Sequence, residues 1–279
     1  MNLLPSEILS LVLHFVSDHY CGFARVSKSF FFLSLIIKEE KIKDEKLCFE
    51  QFSPFVVFTS YNINILFNKA CRLGKKYVIN YMIEKGIDKW NDGMAFAAEG
   101  DHKHLVNFFI YKGANNWDWG MIYAAKGGHK HLVDFFISKG ANNWKLGMSN
   151  AAKGGHKDLV DFFISKGAND WNWGMFNAVR GGHKDLVNLF IEMGANNWDR
   201  GMIYAATGGH KELVEYFIEK GANDWNVGMS NAAQGGHKNL IDFFIEKGAN
   251  DWNWAMDSAA DGGHKDLVKF FKAKMEPSN

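Results

Sequence analysis

Residues 171–197 read WNWGMFNAVRGGHKDLVNLFIEMGANN, and this unit recurs with small changes in both directions along the 279-residue chain. Tryptophan and histidine mark the repeat, because each returns at a constant spacing of 27 residues. The markers are Trp90, Trp117, Trp144, Trp171, Trp198, Trp225 and Trp252, and His102, His129, His156, His183, His210, His237 and His264. With a degenerate earlier copy at about residues 63–89, the pattern predicts eight stacked units over residues 63–279.

Two helices are predicted in each unit, which we number from its tryptophan as positions 1 to 27. Positions 13–23 carry apolar side chains at helical intervals, as in Leu132, Val133 and Phe136, and the glycine at position 24 favours a left-handed helix end. Tryptophan, methionine and two alanines at positions 1, 5, 8 and 9 predict the buried face of an earlier helix. Asparagine or aspartate at position 27 is expected to cap that helix.

Glycine at position 4 leaves the start of the first helix open. A glycine inside a helix costs about 1 kcal/mol relative to alanine, so this helix begins either at the tryptophan or only after the glycine. The predicted fold class is an all-α solenoid of helix pairs, with Gly-Gly at positions 11 and 12 forming the turn within each pair. The last copy carries Lys272 at an apolar position and Met275 in place of the terminating glycine, which predicts a C-terminal cap.

Positions 3, 6, 7 and 10 change freely from copy to copy. Their spacing puts them on one stripe of the first helix, which we expect to face solvent opposite the tryptophan, methionine and alanine face. The stripe is unusually aromatic, and aromatic side chains grouped on a surface are typical of protein-binding sites. The residues expected to contact a partner are Trp119, Tyr123, Trp173, Phe176, Arg200 and Tyr204. The alternative is that these side chains pack against the next repeat and leave little for a ligand.

Two long segments of the chain also resemble each other. Residues 117–197 match residues 198–278, with Ile-Tyr and then Ser-Asn at corresponding places. The pattern indicates the duplication of a three-unit block. Some residues that the two blocks share therefore reflect common descent and not selection for binding.

Composition and charge narrow the class of partner. The chain is 47% hydrophobic, and its 32 basic and 31 acidic side chains leave a net charge of +1. This balance disfavours binding to nucleic acids or to an anionic membrane. Cys21, Cys48 and Cys71 show no metal-ligand spacing and are odd in number, so we expect a reducing, cytoplasmic location. The apolar run at residues 8–16 is too short to span a membrane. We expect a monomer with protein partners.

The recurring Gly-His-Lys sequences do not indicate a metal or phosphate site. Packed helices lie about 8–10 Å apart, whereas zinc ligands lie about 2 Å from one ion, so equivalent histidines cannot share a metal. Each histidine is expected to bond to backbone at the start of the second helix. The sequence predicts no catalytic group, metal or cofactor. One further alternative is an RNA reader with one base per repeat, although the near-neutral charge disfavours it.

Residues 1–44 differ in composition from the repeats and predict a separate helical module, followed by a connector at residues 45–62. LPSEIL at residues 4–9, VL at 12–13, FV at 15–16 and ARVSKSF at 24–30 resemble an F-box. A departure is the Phe30-Phe31-Phe32 run, where many members of that family carry a tryptophan. The resemblance implies that a Skp-type adaptor docks on Leu4, Pro5, Ile8, Leu9 and Val12. The alternative is that this segment only caps the repeat stack.

The repeats resemble ankyrin repeats, most clearly in AAKGGHKDLVDFFISKGAN at residues 151–169. Two departures are a unit about six residues shorter than the 33 of that family and the loss of its Thr-Pro-Leu-His stretch. The missing residues would form protruding β-hairpins, so we expect an almost purely helical solenoid. In that family the variable stripe lines the inner, concave surface. Shortened arrays of this kind are similar to ankyrin proteins of large DNA viruses, some of which carry F-box-like modules.

The two resemblances together imply a non-catalytic adaptor. The F-box-like segment would join a cullin-RING ubiquitin ligase through a Skp-type protein, and the solenoid would hold a target protein. The competing interpretation is a plain ankyrin-like binding scaffold without a role in ubiquitin transfer.

Overall fold

The structure is a computed structural model that describes residues 60–275. The F-box-like module expected at residues 1–44, with its five adaptor-binding residues, lies outside the described residues, as does most of the connector. Residues 60–275 form sixteen α-helices and contain no β-strand. The all-α fold class predicted from the sequence is therefore confirmed over this range.

The chain divides after Asn116 into two compact units, and each is described by itself. The helices of the first unit are α1 (Ser60–Arg72), α2 (Lys76–Glu84), α3 (Trp90–Glu99) and α4 (Lys103–Tyr111). Those of the second are α5 (Trp117–Gly127), α6 (Lys130–Ser138), α7 (Trp144–Gly154), α8 (Lys157–Ser165), α9 (Trp171–Gly181), α10 (Lys184–Glu192), α11 (Trp198–Gly208), α12 (Lys211–Glu219), α13 (Trp225–Gly235), α14 (Lys238–Glu246), α15 (Trp252–Asp261) and α16 (Lys265–Met275).

The first helix of each intact repeat begins at its tryptophan, so the glycine at position 4 lies inside the helix. Asn143 and Asp170 cap α7 and α9, because their side chains accept hydrogen bonds from the backbone N–H groups of Leu146 and Trp173 at 3.2 and 3.1 Å. The predicted capping at position 27 is confirmed for these helices. A cap oxygen satisfies one of the backbone donors that a helix start leaves unpaired.

The glycine at position 4 is explained by the phenylalanine at position 20 of the same repeat. A Cβ atom on Gly174 would lie 2.5 Å from the ring of Phe190, which is fully buried. The absence of a side chain at Gly174 lets α10 press this ring against α9 at that depth. The last repeat differs, because Ala255 stands at position 4 there. Close packing therefore outweighs the unfavourable helix propensity of glycine.

The core of the second unit repeats the same contacts from one helix pair to the next. From α5 to α14, methionine at position 5, leucine and valine or isoleucine at positions 16 and 17, and phenylalanine at position 20 are buried. Alanines at positions 8 and 9 let neighbouring first helices approach more closely than neighbouring second helices do. The expectation that the position 1 tryptophan belongs to the buried face is wrong in part, because Trp144 is half-buried and covers the edge of Phe163 at 6.5 Å between ring centroids.

Apart from α16, the second helices end where the sequence predicted. Gly140 adopts a left-handed φ of 108°, and the N–H of Ala141 donates to the carbonyl of Phe136 at 3.0 Å. This pair of features is a Schellman turn, which satisfies carbonyl groups at the helix end. In the last repeat, α16 continues to Met275, and Ala260, whose equivalents are buried, is exposed. Both features agree with the predicted C-terminal cap.

The outer face of the second helices carries a half-buried aromatic ring at position 19 in most repeats. Lysines from the preceding repeat lie over these rings, as Lys130 does over Phe162 at 4.0 Å and Lys238 over Phe270 at 3.9 Å. Such cation–π contacts join one repeat to the next. Residues 171–197 interrupt the row, because Leu189 stands at position 19.

Candidate protein-binding surface

The variable positions of the first helices form an exposed stripe in the second unit. We define the helix-one stripe as positions 3, 7 and 10 of each repeat between residues 117 and 261. Three large apolar side chains on it are exposed to solvent, namely Trp119 and Trp173 at 37% each and Trp254 at 44%. Tyr123 and Tyr204 are half-buried, and Arg200 is exposed. Five of the six expected contact residues therefore lie at least partly at the surface.

Position 6 does not belong to the stripe, which corrects the expectation for Phe176. This ring is only 4% exposed, and its equivalents Ile122, Ser149 and Ser230 are equally buried. Position 6 points at the first helix of the following repeat. Phe176 contacts Tyr204 with 5.2 Å between ring centroids, and Ser230 hydrogen-bonds to Ser258 at 3.0 Å. Phe176 and these equivalents therefore pack between repeats, although Ile203 is half-buried and Asp257 is exposed at the same position, and the position 3 tryptophans remain exposed to solvent.

A cluster of aromatic and cationic side chains lies across α9 and α11. Trp173 meets Phe176 edge to face at 6.4 Å between centroids, and Phe176 in turn contacts Tyr204. The guanidinium of Arg200 lies 6.0 Å from the Phe176 ring centre, and that of Arg180 lies 5.6 Å from the Tyr204 ring centre. The two arginines therefore flank the aromatic pair, and each belongs to the repeat opposite the ring that it covers.

The interface between α9 and α11 is wider than the other interfaces between first helices of the second unit. Val179 stands at position 9, where every other intact copy has alanine, and it is fully buried. At Gly154 an added Cβ would overlap the carbonyl oxygen of Lys126 in the previous repeat, whereas at Gly208 the corresponding oxygen of Arg180 is more than 3.7 Å away. The larger side chains Val179 and Phe176 separate these two helices, because interiors are packed without spare volume.

The recurring histidine connects repeats, which corrects the role expected for it. Nε2 of His156 lies 3.1 Å from the carbonyl oxygen of Lys126, and Nε2 of His183 lies 3.2 Å from that of Lys153. The sequence predicted a bond to backbone, but at the start of the histidine's own helix. The partner is instead the first helix of the preceding repeat. Among the described residues 117–275, His210 forms no such bond, because the Arg180 carbonyl is displaced.

Glycines on both sides make room for the imidazole. A Cβ on Gly155 would lie 2.5 Å from His183, and Gly155 already has a left-handed φ of 81°. The wider interface between α9 and α11 leaves more space at this place, since a Cβ on Gly182 would lie 3.0 Å from His210. The Gly-Gly-His sequence is therefore a spacer between repeats.

The described residues do not gather groups suited to metal binding. No cluster of three or more histidine, cysteine or acidic side chains with that geometry occurs within residues 60–275. Cys71 is fully buried, and burial, followed by the charge of Asp92, raises the pKa of its thiol well above the usual value. A thiol of this kind stays protonated and unreactive. Open depressions of about 460 and 330 Å³ at two Gly-Gly-His-Lys turns are lined by charges of both signs.

Charge divides the helix-one stripe into two halves. At position 10 the first three repeats of the unit carry Lys126, Lys153 and Arg180. The three repeats of the duplicated block carry Thr207, Gln234 and Asp261 at the same places. This contrast was not predicted, although the charges of the two blocks at position 10 can be compared in the sequence. The role of Val179 was not predicted either, although a single valine among alanines at position 9 is visible in the sequence.

A family model supports the repeat class for part of the chain. A family model described as ankyrin repeats (3 copies) matches residues 148–228, a range that contains the cluster around Phe176. A crystal structure of the human ASB11 ankyrin repeat domain is similar, with a TM-score of 0.40 and 18% identity over 67% of this chain and 99% of that chain. No curated protein matches the chain. Residues 148–228 thus carry ankyrin repeats, which are a scaffold for binding target proteins.

No helix within residues 60–275 combines the length and the apolar character needed to cross a bilayer.

Proposed function

We propose that this chain is a non-catalytic adaptor that holds a target protein on the helix-one stripe and presents it to a partner bound at the N-terminal module. The observation that carries the proposal is the set of exposed tryptophans on the first helices of the second unit. Exposed aromatic side chains cost a folded protein solubility, and surface patches of this kind mark sites where partners bind. Residues 148–228, which match the ankyrin model, include part of this row.

The partner at the N-terminal module is the finer part of the proposal. The resemblance of residues 4–30 to an F-box supports docking of a Skp-type adaptor through Leu4, Pro5, Ile8, Leu9 and Val12. The chain would then act as the substrate-recognition subunit of a cullin-RING ubiquitin ligase in the cytoplasm. The likeness of shortened repeat arrays to viral ankyrin proteins fits a role in redirecting host proteins. Without the adaptor, the function is that of a plain binding scaffold.

Co-purification with a Skp-type adaptor tests the ligase role. We expect the full chain to retain the adaptor and a shortened chain beginning at residue 60 to lose it. In the full chain, Ile8→Asp should abolish retention, because it places a charge among the apolar positions of the F-box-like segment. Ser10→Asp is the matched control, since the helical pattern puts Ser10 on the opposite, polar side. If the full and shortened chains behave alike, the ligase role is wrong and the scaffold role stands.

A further inference from the structure

We propose that the part of the helix-one stripe between Trp173 and Tyr204 recognises an acidic segment of the target protein, in which an aromatic or apolar side chain is flanked by carboxylates. The inference rests on the proposed function, namely that the stripe binds protein. It adds the chemistry of the partner and places its anchor at the widened interface between α9 and α11.

The two arginines of the cluster supply the first argument. Within residues 60–275 neither Arg180 nor Arg200 forms an ion pair with a carboxylate, although four lysine and acid pairs form on the second helices. Each guanidinium instead lies against a ring. A guanidinium held by its face keeps its N–H edge available, and that edge matches the two oxygens of a carboxylate.

The aromatic side chains supply the apolar part of the site. Phe176 is buried and holds Trp173 on one side and Tyr204 on the other, so the exposed ring faces are already ordered before a partner arrives. Pre-ordered side chains lose little conformational entropy on binding. Tryptophan, tyrosine and arginine are also the residues that contribute most often to binding energy at protein interfaces.

The duplicated block shows that this chemistry is local. Trp173 has its counterpart in Trp254, but Phe176 corresponds to Asp257 and Arg180 to Asp261. The chain as a whole has a net charge of only +1, so the cations of the first block are not a general basic character. A segment with carboxylates therefore meets attraction over the first block and at Arg200 near the start of the second, and repulsion at the end of the second, which also sets its direction.

A nucleic acid fits the same surface less well. A polynucleotide carries a phosphate at every step and needs a continuous cationic track. The stripe ends at Asp261, with the exposed Asp257 next to it at position 6, and the caps Asp170 and Asp224 lie beside position 3 of their helices. A peptide can space its carboxylates to meet Arg180 and Arg200 and avoid these acids.

Selection from a displayed library of random 12-residue peptides on the full chain tests the inference. We expect the enriched peptides to combine an aromatic or large apolar residue with aspartate or glutamate, and the double variant Arg180→Glu/Arg200→Glu to bind them at least tenfold more weakly. Trp173→Ala should weaken them to a similar degree, whereas the matched control Trp254→Ala should not. Melting curves of each variant check folding, and these four side chains are exposed, so the curves should stay unchanged.

The outcomes separate the inference from the proposed function. Enriched peptides that depend on Trp173 but carry no excess of acid would overturn the inference and leave protein binding by the stripe intact. Failure to enrich any peptide that depends on the stripe would overturn both. An RNA oligonucleotide of mixed sequence that displaces the selected peptides at equal concentration would show that the surface serves nucleic acid, and this too would overturn the inference.

Discussion

At the scale of single residues, the histidine at position 13 shows how a repeated side chain acts between repeats. The imidazole lies between glycines of two neighbouring repeats and forms a hydrogen bond with a backbone carbonyl 30 residues earlier in the chain. The sequence indicates that the histidine contacts backbone, because the same residue follows the same turn each time. It does not reveal which backbone, since the partner is brought near only by stacking.

Replacing this histidine should lower the free energy of unfolding by an amount that differs from one interface between repeats to another. We expect His183→Ala to lower the free energy of unfolding by about 1 kcal/mol or more, because it removes a hydrogen bond and leaves the Lys153 carbonyl unsatisfied. His210→Ala is the matched control and should cost clearly less, because His210 forms no such bond within the described repeats. Urea denaturation monitored by circular dichroism measures both. Equal losses would contradict the role of the bond.

At the scale of the helix, the buried glycine at position 4 reverses what local propensity favours. Alanine would improve the helix by about 1 kcal/mol, yet a Cβ at Gly174 would overlap the ring of Phe190. The sequence could only pose the conflict, because the ring that resolves it belongs to another helix. Helix ends were easier to predict, since asparagine, aspartate and glycine act on neighbouring backbone groups.

A double-mutant cycle tests this account of the glycine. We expect Gly174→Ala to destabilise the protein by about 1–3 kcal/mol, the range usual for overpacking of a core. The combination Gly174→Ala/Phe190→Leu should be less destabilised than the two single changes added together, because leucine leaves space for the new methyl group. Thermal or urea unfolding provides the three values. Strict additivity would mean that the ring does not explain the glycine.

At the scale of the whole molecule, histidines of neighbouring repeats in the second unit influence one another. Burial lowers the pKa of His156 below its usual 6.5, and the nearby His129 and His183 lower it further, while its backbone bond to Lys126 acts in the opposite direction. Because the pKa of His156 is lower in the folded state, the unfolded chain binds more protons at pH values between the folded-state pKa and 6.5. The stabilising contribution of neutral His156 is therefore complete above about pH 6.5 and is lost as the pH falls through the folded-state value.

Melting temperature measured from pH 8 to pH 5 should show this dependence. We expect the full chain to lose stability below pH 6.5 more steeply than the variant His156→Gln, whose amide still reaches a carbonyl but does not titrate in this range. The difference between the two curves isolates His156 from other groups. A steeper loss in the variant, or parallel curves, would show that protonation of His156 does not destabilise the fold.

The sequence by itself determined the repeat length, the helix pair, the turns and the exposed tryptophans. These follow from short-range rules: the helical period sets the faces, and glycine or a capping residue sets each end. Only the tertiary structure decided how neighbouring repeats contact each other. These contacts include the burial of Phe176, the histidine bonds between repeats and the widened interface between α9 and α11 at Val179. The physical reason is that a stack joins residues 24 to 30 positions apart, and the fit between two helices depends on side-chain volumes that no periodicity encodes.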